Sequence, residues 1–159
     1  MPLTTKNINL QTPAYTITIG EIIGEFEKAK SRKAKKEILE KHKDVNVLKH
    51  LLRGTFDPKV QWTIDEEPDY IKDVKTPEGE EPNTLYIEMP LCSMFVKGHP
   101  TSAKLKLKRM KELLIQILES LGADEASLYM QMLKKKTKVK GLTSKLVLEV
   151  FPGMYKEGV

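Results

Sequence analysis

Apolar residues recur at spacings of three and four along most of the chain, and that period commits it to helices. Ile19, Ile22, Ile23 and Phe26 put four large side chains on one helix face. Ser31 reads as the N-cap of a second helix with Ala34, Ile38 and Leu39 inward. Asp44 reads as the cap of a third, carrying Leu48, Leu51, Leu52 and either Phe56 or Thr55, with Gly54 and then Asp57–Pro58 as its stop. Further on, Thr101 or Ser102 can open a long helix holding Leu107, Met110, Leu113, Leu114, Ile117, Leu118 and Leu121, ended by Gly122. Asp124 can cap the next, with Leu128, Met132 and Leu133 inward. Thr143 then caps a last helix with Leu146, Val147 and Val150, closed by Phe151, Pro152 and Gly153.

Between the two helical runs the pattern fails. Residues 65–84 contain Pro68, Pro77, Gly79 and Pro82 among acidic side chains, a composition that breaks both helices and central strands. Leu85 to Met89 fit either a short extended piece or a turn of helix, and Met94, Phe95 and Val96 are apolar enough for partial burial. The expected fold is all-α, a small multi-helix bundle of about six helices in two halves with a Pro-rich acidic loop between them. Residues 1–15 read as an arm, 16–155 as one helical domain with residues 65–84 inserted, and 156–159 as a tail.

Charge is segregated along the chain. The net charge is only +5, but residues 28–53 hold ten Lys/Arg, and residues 97–145 hold twelve against four acids. Residues 65–81 hold eight acids against Lys72 and Lys75. Cys92 is the single cysteine, which excludes an internal disulfide and suits a reducing cytoplasm. None of the three histidines has metal-ligand spacing, and no apolar run suits a signal peptide or a membrane span. The expected setting is therefore soluble and cytoplasmic, with no membrane, metal or cofactor.

Catalytic chemistry has little to stand on. Glu66–Glu67 and Glu80–Glu81 are adjacent carboxylates in the acidic loop, where nothing fixes an acid/base pair. Cys92 lies in apolar surroundings that favour burial over nucleophilicity, His99 before Pro100 reads as a loop residue, and Trp62 reads as core. The positive signal is a basic turn: Lys134, Lys135, Lys136, Lys138, Lys140 and Lys145 surround Gly141, and Thr143 opens the following helix. Phosphates require cations and exposed backbone N–H groups, and a glycine turn opening into a helix N-terminus supplies the latter. The basic run of residues 28–43 is weaker evidence, since it also reads as an ordinary solvated face.

Two stretches resemble a known family. Ile38-Leu39-Glu40-Lys41-His42-Lys43-Asp44, then Val47-Leu48-Lys49, Arg53-Gly54-Thr55-Phe56 and Gln61-Trp62-Thr63-Ile64, resemble the start of the N-terminal helical domain of tailed-phage ATP-dependent DNA ligases. Lys136, Gly141, Thr143 and Val150-Phe151-Pro152-Gly153-Met154 resemble its end. The resemblance covers roughly the first and last thirds of residues 19–155. It implies a module that grips the DNA backbone, with Lys136 where the family tends to have arginine, Gly141 and Thr143 at the turn, and Arg53 at a basic position of the first half. Glu149 departs from a position that is often basic. The Lys-x-Asp-Gly motif that takes AMP in such ligases does not occur, so DNA joining is not expected of this polypeptide.

The expected function is thus non-catalytic, sequence-tolerant binding of duplex or nicked DNA through phosphates, in phage replication, repair or genome handling, and hence in the host cytoplasm. The alternative is a protein–protein adaptor docking on a replication or transcription complex; a structural virion component is a third reading. The charge pattern adds one more expectation, that the acidic loop lies over the basic surface and competes with DNA.

Overall fold

The computed structural model describes residues 17–72 and 83–156. The expected arm, residues 73–82 of the acidic loop and residues 157–159 of the tail lie outside them. The described residues form eight α-helices and one 3₁₀ helix with no strand among them, so the fold is all-α with more helices than the six or so expected. The first three are α1 (Ile19–Lys28), α2 (Arg32–Lys41) and α3 (Asn46–Phe56). After the acidic stretch come α4 (Leu85–Glu88), the 3₁₀ helix Met89–Phe95, α5 (Pro100–Ala103), α6 (Leu107–Ser120), α7 (Ala123–Lys134) and α8 (Ser144–Val150). None of them is long and apolar enough to cross a membrane.

The expected halves share one core. Helix α7 packs on α1, α3 and α6, and α8 packs on α2. Ile22, Phe26, Leu39, Leu48, Leu52, Leu114, Leu118, Tyr129 and Met132 are all removed from solvent in that single cluster. Burying each such side chain contributes about 1.5–3 kcal/mol, which no isolated ten-residue helix could supply for itself.

Local chemistry sets the helix boundaries, sometimes against expectation. Thr18 and Glu21 form a reciprocal capping box at the start of α1. Ser31 and Thr143 cap α2 and α8 as anticipated. Asp44 does not cap α3; the cap position is Val45, with no side-chain bond. Asp124 lies inside the first turn of α7, where its Oδ1 accepts the Glu125 N–H, and Gly122 holds the cap position. Thr101 and Ser102 do not open the long helix. The Ser102 hydroxyl is buried on the carbonyls of Val96 and His99, which confines that segment to one turn, and α6 begins only at Leu107. Leu107 is accordingly exposed rather than inward.

Gly54 does not stop α3 either. It sits inside the helix, where an added Cβ would lie 2.7 Å from Met132 Sδ and 2.8 Å from Trp62 Cζ2. The glycine is there because α7 and Trp62 come that close, and Trp62 Nε1 donates to the Gly54 carbonyl at 3.0 Å. Asp57–Pro58 is what ends the helix.

Glu125, 4% exposed at the start of α7, is a charge committed to the fold. Its carboxylate accepts N–H groups from Gly20 at 3.2 Å and from Leu85 at 3.1 Å, at the first turns of α1 and α4. Three helix beginnings thus share one anion, where the positive ends of their dipoles favour it. Burial raises the Glu125 carboxyl above the ordinary range, while the amides of Leu85, Gly20 and Ile19 act to lower it. Glu125→Ala leaves two helix N–H groups, buried at Leu85 and half-buried at Gly20, without an acceptor. It is expected to cost about 2–4 kcal/mol, read as a lower urea midpoint at unchanged slope.

Candidate nucleic-acid interface

The end of α7 divides the lysine run by geometry. Lys135 takes a left-handed backbone, φ 55°, at the helix C-cap. From there its Nζ reaches back to three carbonyls: Gly54 at 3.2 Å, Asp57 at 2.7 Å and Val60 at 2.8 Å. These carbonyls lie at the end of α3 and just beyond it, so the cation braces another helix's C-terminus rather than facing outward. Burial lowers its pKa while the neighbouring Asp57 acts to raise it. Lys134 Nζ lies 3.7 Å from Glu67, so one acid of the acidic segment does reach the basic run. Arg53 is paired with the buried carboxylate of Asp57 at 3.2 Å. Lys134, Lys135 and Arg53 therefore already have partners within the fold.

The remaining candidates fall in a different place. The Lys136 and Lys138 side chains are exposed on the turn that follows α7, which is held by the Gln131 carboxamide oxygen on the Lys138 N–H at 2.9 Å. Lys145 is exposed on α8. Lys140, Gly141 and Thr143 line one wall of an open cleft of about 840 Å³. Its other wall is the link between α1 and α2, and supplies Lys28, Lys30, Arg32 and Lys35. Five cations thus face one cleft with Glu27 as the single acid among its lining residues. In the sequence the basic run of residues 28–43, which contains this wall, is the weaker evidence, since it also reads as an ordinary solvated face. Their signal was the basic block itself, and what was not visible there is that α8 packs on α2 and brings the two basic segments together.

The cleft is built rather than merely charged. Gly141 has φ 84°, a backbone conformation that favours glycine, and a Cβ there would sit 2.9 Å from Lys35 Cδ and displace the lysine stem. The Lys35 stem runs beneath it, with Nζ donating to the Phe26 carbonyl at 2.9 Å and lying 4.8 Å from the Phe26 ring centre. Arg32 forms a two-pronged pair with Glu149, and Lys36 lies 3.7 Å from the same carboxylate. Glu149 is held below the usual carboxylate range, first by the Arg32 hydrogen bond and then by the surrounding cations. Glu149 is therefore paired, and it ties α8 to α2 through Arg32, a lining residue of the cleft.

Among the described residues no cluster of His, Cys, Asp and Glu is arranged to hold a metal. Cys92 is half-buried, and burial pushes its thiol up to about 11, away from nucleophilic character. Trp62 is core, hydrogen-bonded to α3, and not a stacking platform.

Residues 22–139 match the model of a protein family described as a family of unknown function, DUF6433. The match takes in more than half of the chain, which belongs to that family. No curated protein matches the chain.

The role of Lys135 is open to a direct test in urea. Lys135→Ala removes the cap on three carbonyls and keeps the left-handed strain, with an expected loss of about 2–3 kcal/mol. Lys135→Gly loses the same cap but relieves the strain, and should be about 1 kcal/mol less destabilised. Wild-type stability of the alanine variant would remove Lys135 from the structural role assigned to it.

Proposed function

We propose that this member of the DUF6433 family is a non-catalytic DNA-binding module whose cleft between the α1–α2 link and the Gly141 turn holds a phosphate backbone. The observation that carries this reading is the meeting of two basic segments, more than a hundred residues apart in sequence, on one open cleft. Lys28, Lys30 and Lys140 are exposed there. Lys138 and Lys136 continue the basic surface along the turn. Phosphodiester contacts of this kind position a protein on DNA and carry no base readout, so the binding is sequence-tolerant. The resemblance to the helical domain of phage DNA ligases supports the same reading and a setting in phage DNA replication, repair or genome handling.

Anisotropy titration with duplex, nicked and single-stranded DNA at two salt concentrations tests it. Affinity is expected to fall with a log–log slope of about −0.9 per phosphate engaged. Replacing Lys28, Lys30 and Lys140 together by Ala should weaken binding to all duplex sequences alike and flatten the slope by about 3. Lys134→Ala and Arg53→Ala should change it little, because both cations are already paired. Absence of binding at ~50 mM salt would favour the adaptor reading instead.

A further inference from the structure

Beside the basic cleft lies a second, smaller recess. Glu27 lines both, and Lys138 and Lys140, two residues apart, line one each. The recess has a volume of about 210 Å³ and lies between α1, α7 and the turn that follows α7. That is below the roughly 300–1,000 Å³ of small-molecule sites, so it takes a single ring system at most.

Its chemistry differs from that of the cleft. Ile23, Leu128 and Val139 supply apolar walls. The polar groups are the Glu27 and Asp124 carboxylates with Ser127, Gln131 and Lys138. This polar side is braced from within. Gln131 Nε2 donates to the Ser127 hydroxyl at 3.1 Å, and the Gln131 carboxamide oxygen accepts the Lys138 N–H at 2.9 Å. Asp124 Oδ1 accepts the Glu125 N–H at 2.8 Å, and Gly20 leaves room for Oδ2, which an added Cβ would strike. Two carboxylates against one ammonium make the recess a poor seat for phosphate. Apolar walls with acceptor groups beside them are instead what the flat face and amino edge of a nucleobase require.

We propose that the recess receives one unpaired nucleobase of a DNA strand whose phosphates lie in the basic cleft, and that it favours bases carrying an exocyclic amino group. This rests on the reading of the cleft as a phosphate site. Ionised carboxylates only accept hydrogen bonds, so Glu27 and Asp124 suit the amino edges of cytosine and adenine, whereas thymine has no amino group to offer. A paired base would first have to leave its stack, while a base at a bulge or overhang enters at little cost. The arrangement therefore directs the protein to interrupted or unpaired positions in otherwise duplex DNA. A metal ion is not the occupant, because no third acid, histidine or cysteine joins the two carboxylates among the described residues.

Anisotropy with the full chain at ~50 mM salt tests this, on one labelled duplex that is fully paired or carries a single bulged cytosine, adenine or thymine. The cytosine and adenine bulges should bind at least about fivefold more tightly than the thymine bulge, which should stay close to the paired duplex. Glu27→Gln combined with Asp124→Asn keeps the shape of the recess but supplies donors as well as acceptors. It should abolish the cytosine-to-thymine ratio while leaving the paired duplex bound. Removing two negative charges tightens all four probes alike, and the ratio is insensitive to that. Ser127→Leu, which fills the recess, should bring every bulge down to the paired duplex with circular dichroism and melting temperature unchanged. Equal affinity for the three bulges, or a ratio that survives the carboxamide pair, would overturn the proposal and leave the cleft reading standing. Loss of the paired duplex on replacing Lys28, Lys30 and Lys140 by Ala identifies that case. Absence of binding to any of the four probes would overturn both.

Discussion

Glu125 and Lys135 bracket α7, and both charges are turned inward onto the backbone of other helices. The carboxylate gathers N–H groups where α1 and α4 begin, and the ammonium gathers carbonyls where α3 ends. Each supplies hydrogen bonds that a helix terminus cannot make for itself, in places where water is scarce. Through them one helix holds the ends of its neighbours, and the close approach at Gly54 lets α3 lie against it. Losing Glu125 would leave N–H groups of α1 and α4 without their acceptor, and losing Lys135 would leave the Val60 carbonyl without its side-chain donor.

That arrangement also decides which lysines are left for a partner. A run of consecutive lysines at a helix end looks uniform in charge, yet the left-handed turn at Lys135 sends its side chain back into the fold. Lys134 meets Glu67. The chain then leaves α7 and carries Lys138, Lys140 and Gly141 across toward α2, where Glu149 is already clasped by Arg32 and Lys36. The basic cleft is thus a product of the α2–α8 contact and of a glycine that allows the Lys35 stem to pass beneath it.

Much of the fold was legible in the sequence because its signals are local. The spacing of Ile19, Ile22, Ile23 and Phe26, the caps Ser31 and Thr143, and the turn at Gly141 depend on residues within one or two turns of each other. The misassignments arose where tertiary contact overrides a local cue. Gly54 looks like a stop but is a contact point for Met132 and Trp62. Ser102 looks like a cap but hydrogen-bonds a carbonyl six residues back, and Leu107 completes an apolar pattern yet faces solvent. For the candidate site the lysine run was visible, and Lys140, Gly141 and Thr143 do line the cleft. Its other wall was not, since no local pattern tells that residues 28–35 will lie beside residue 141.

The division between fold-bound and available cations is open to one direct measurement, an amide ¹H–¹⁵N spectrum recorded while duplex DNA is added at low salt. Shifts concentrated at residues 28–35 and 138–143, with the amides around Arg53 and Lys135 largely unmoved, are the predicted result. Shifts centred on Lys134, Lys135 and Arg53 with the cleft unmoved, or no shifts at all, would contradict the account.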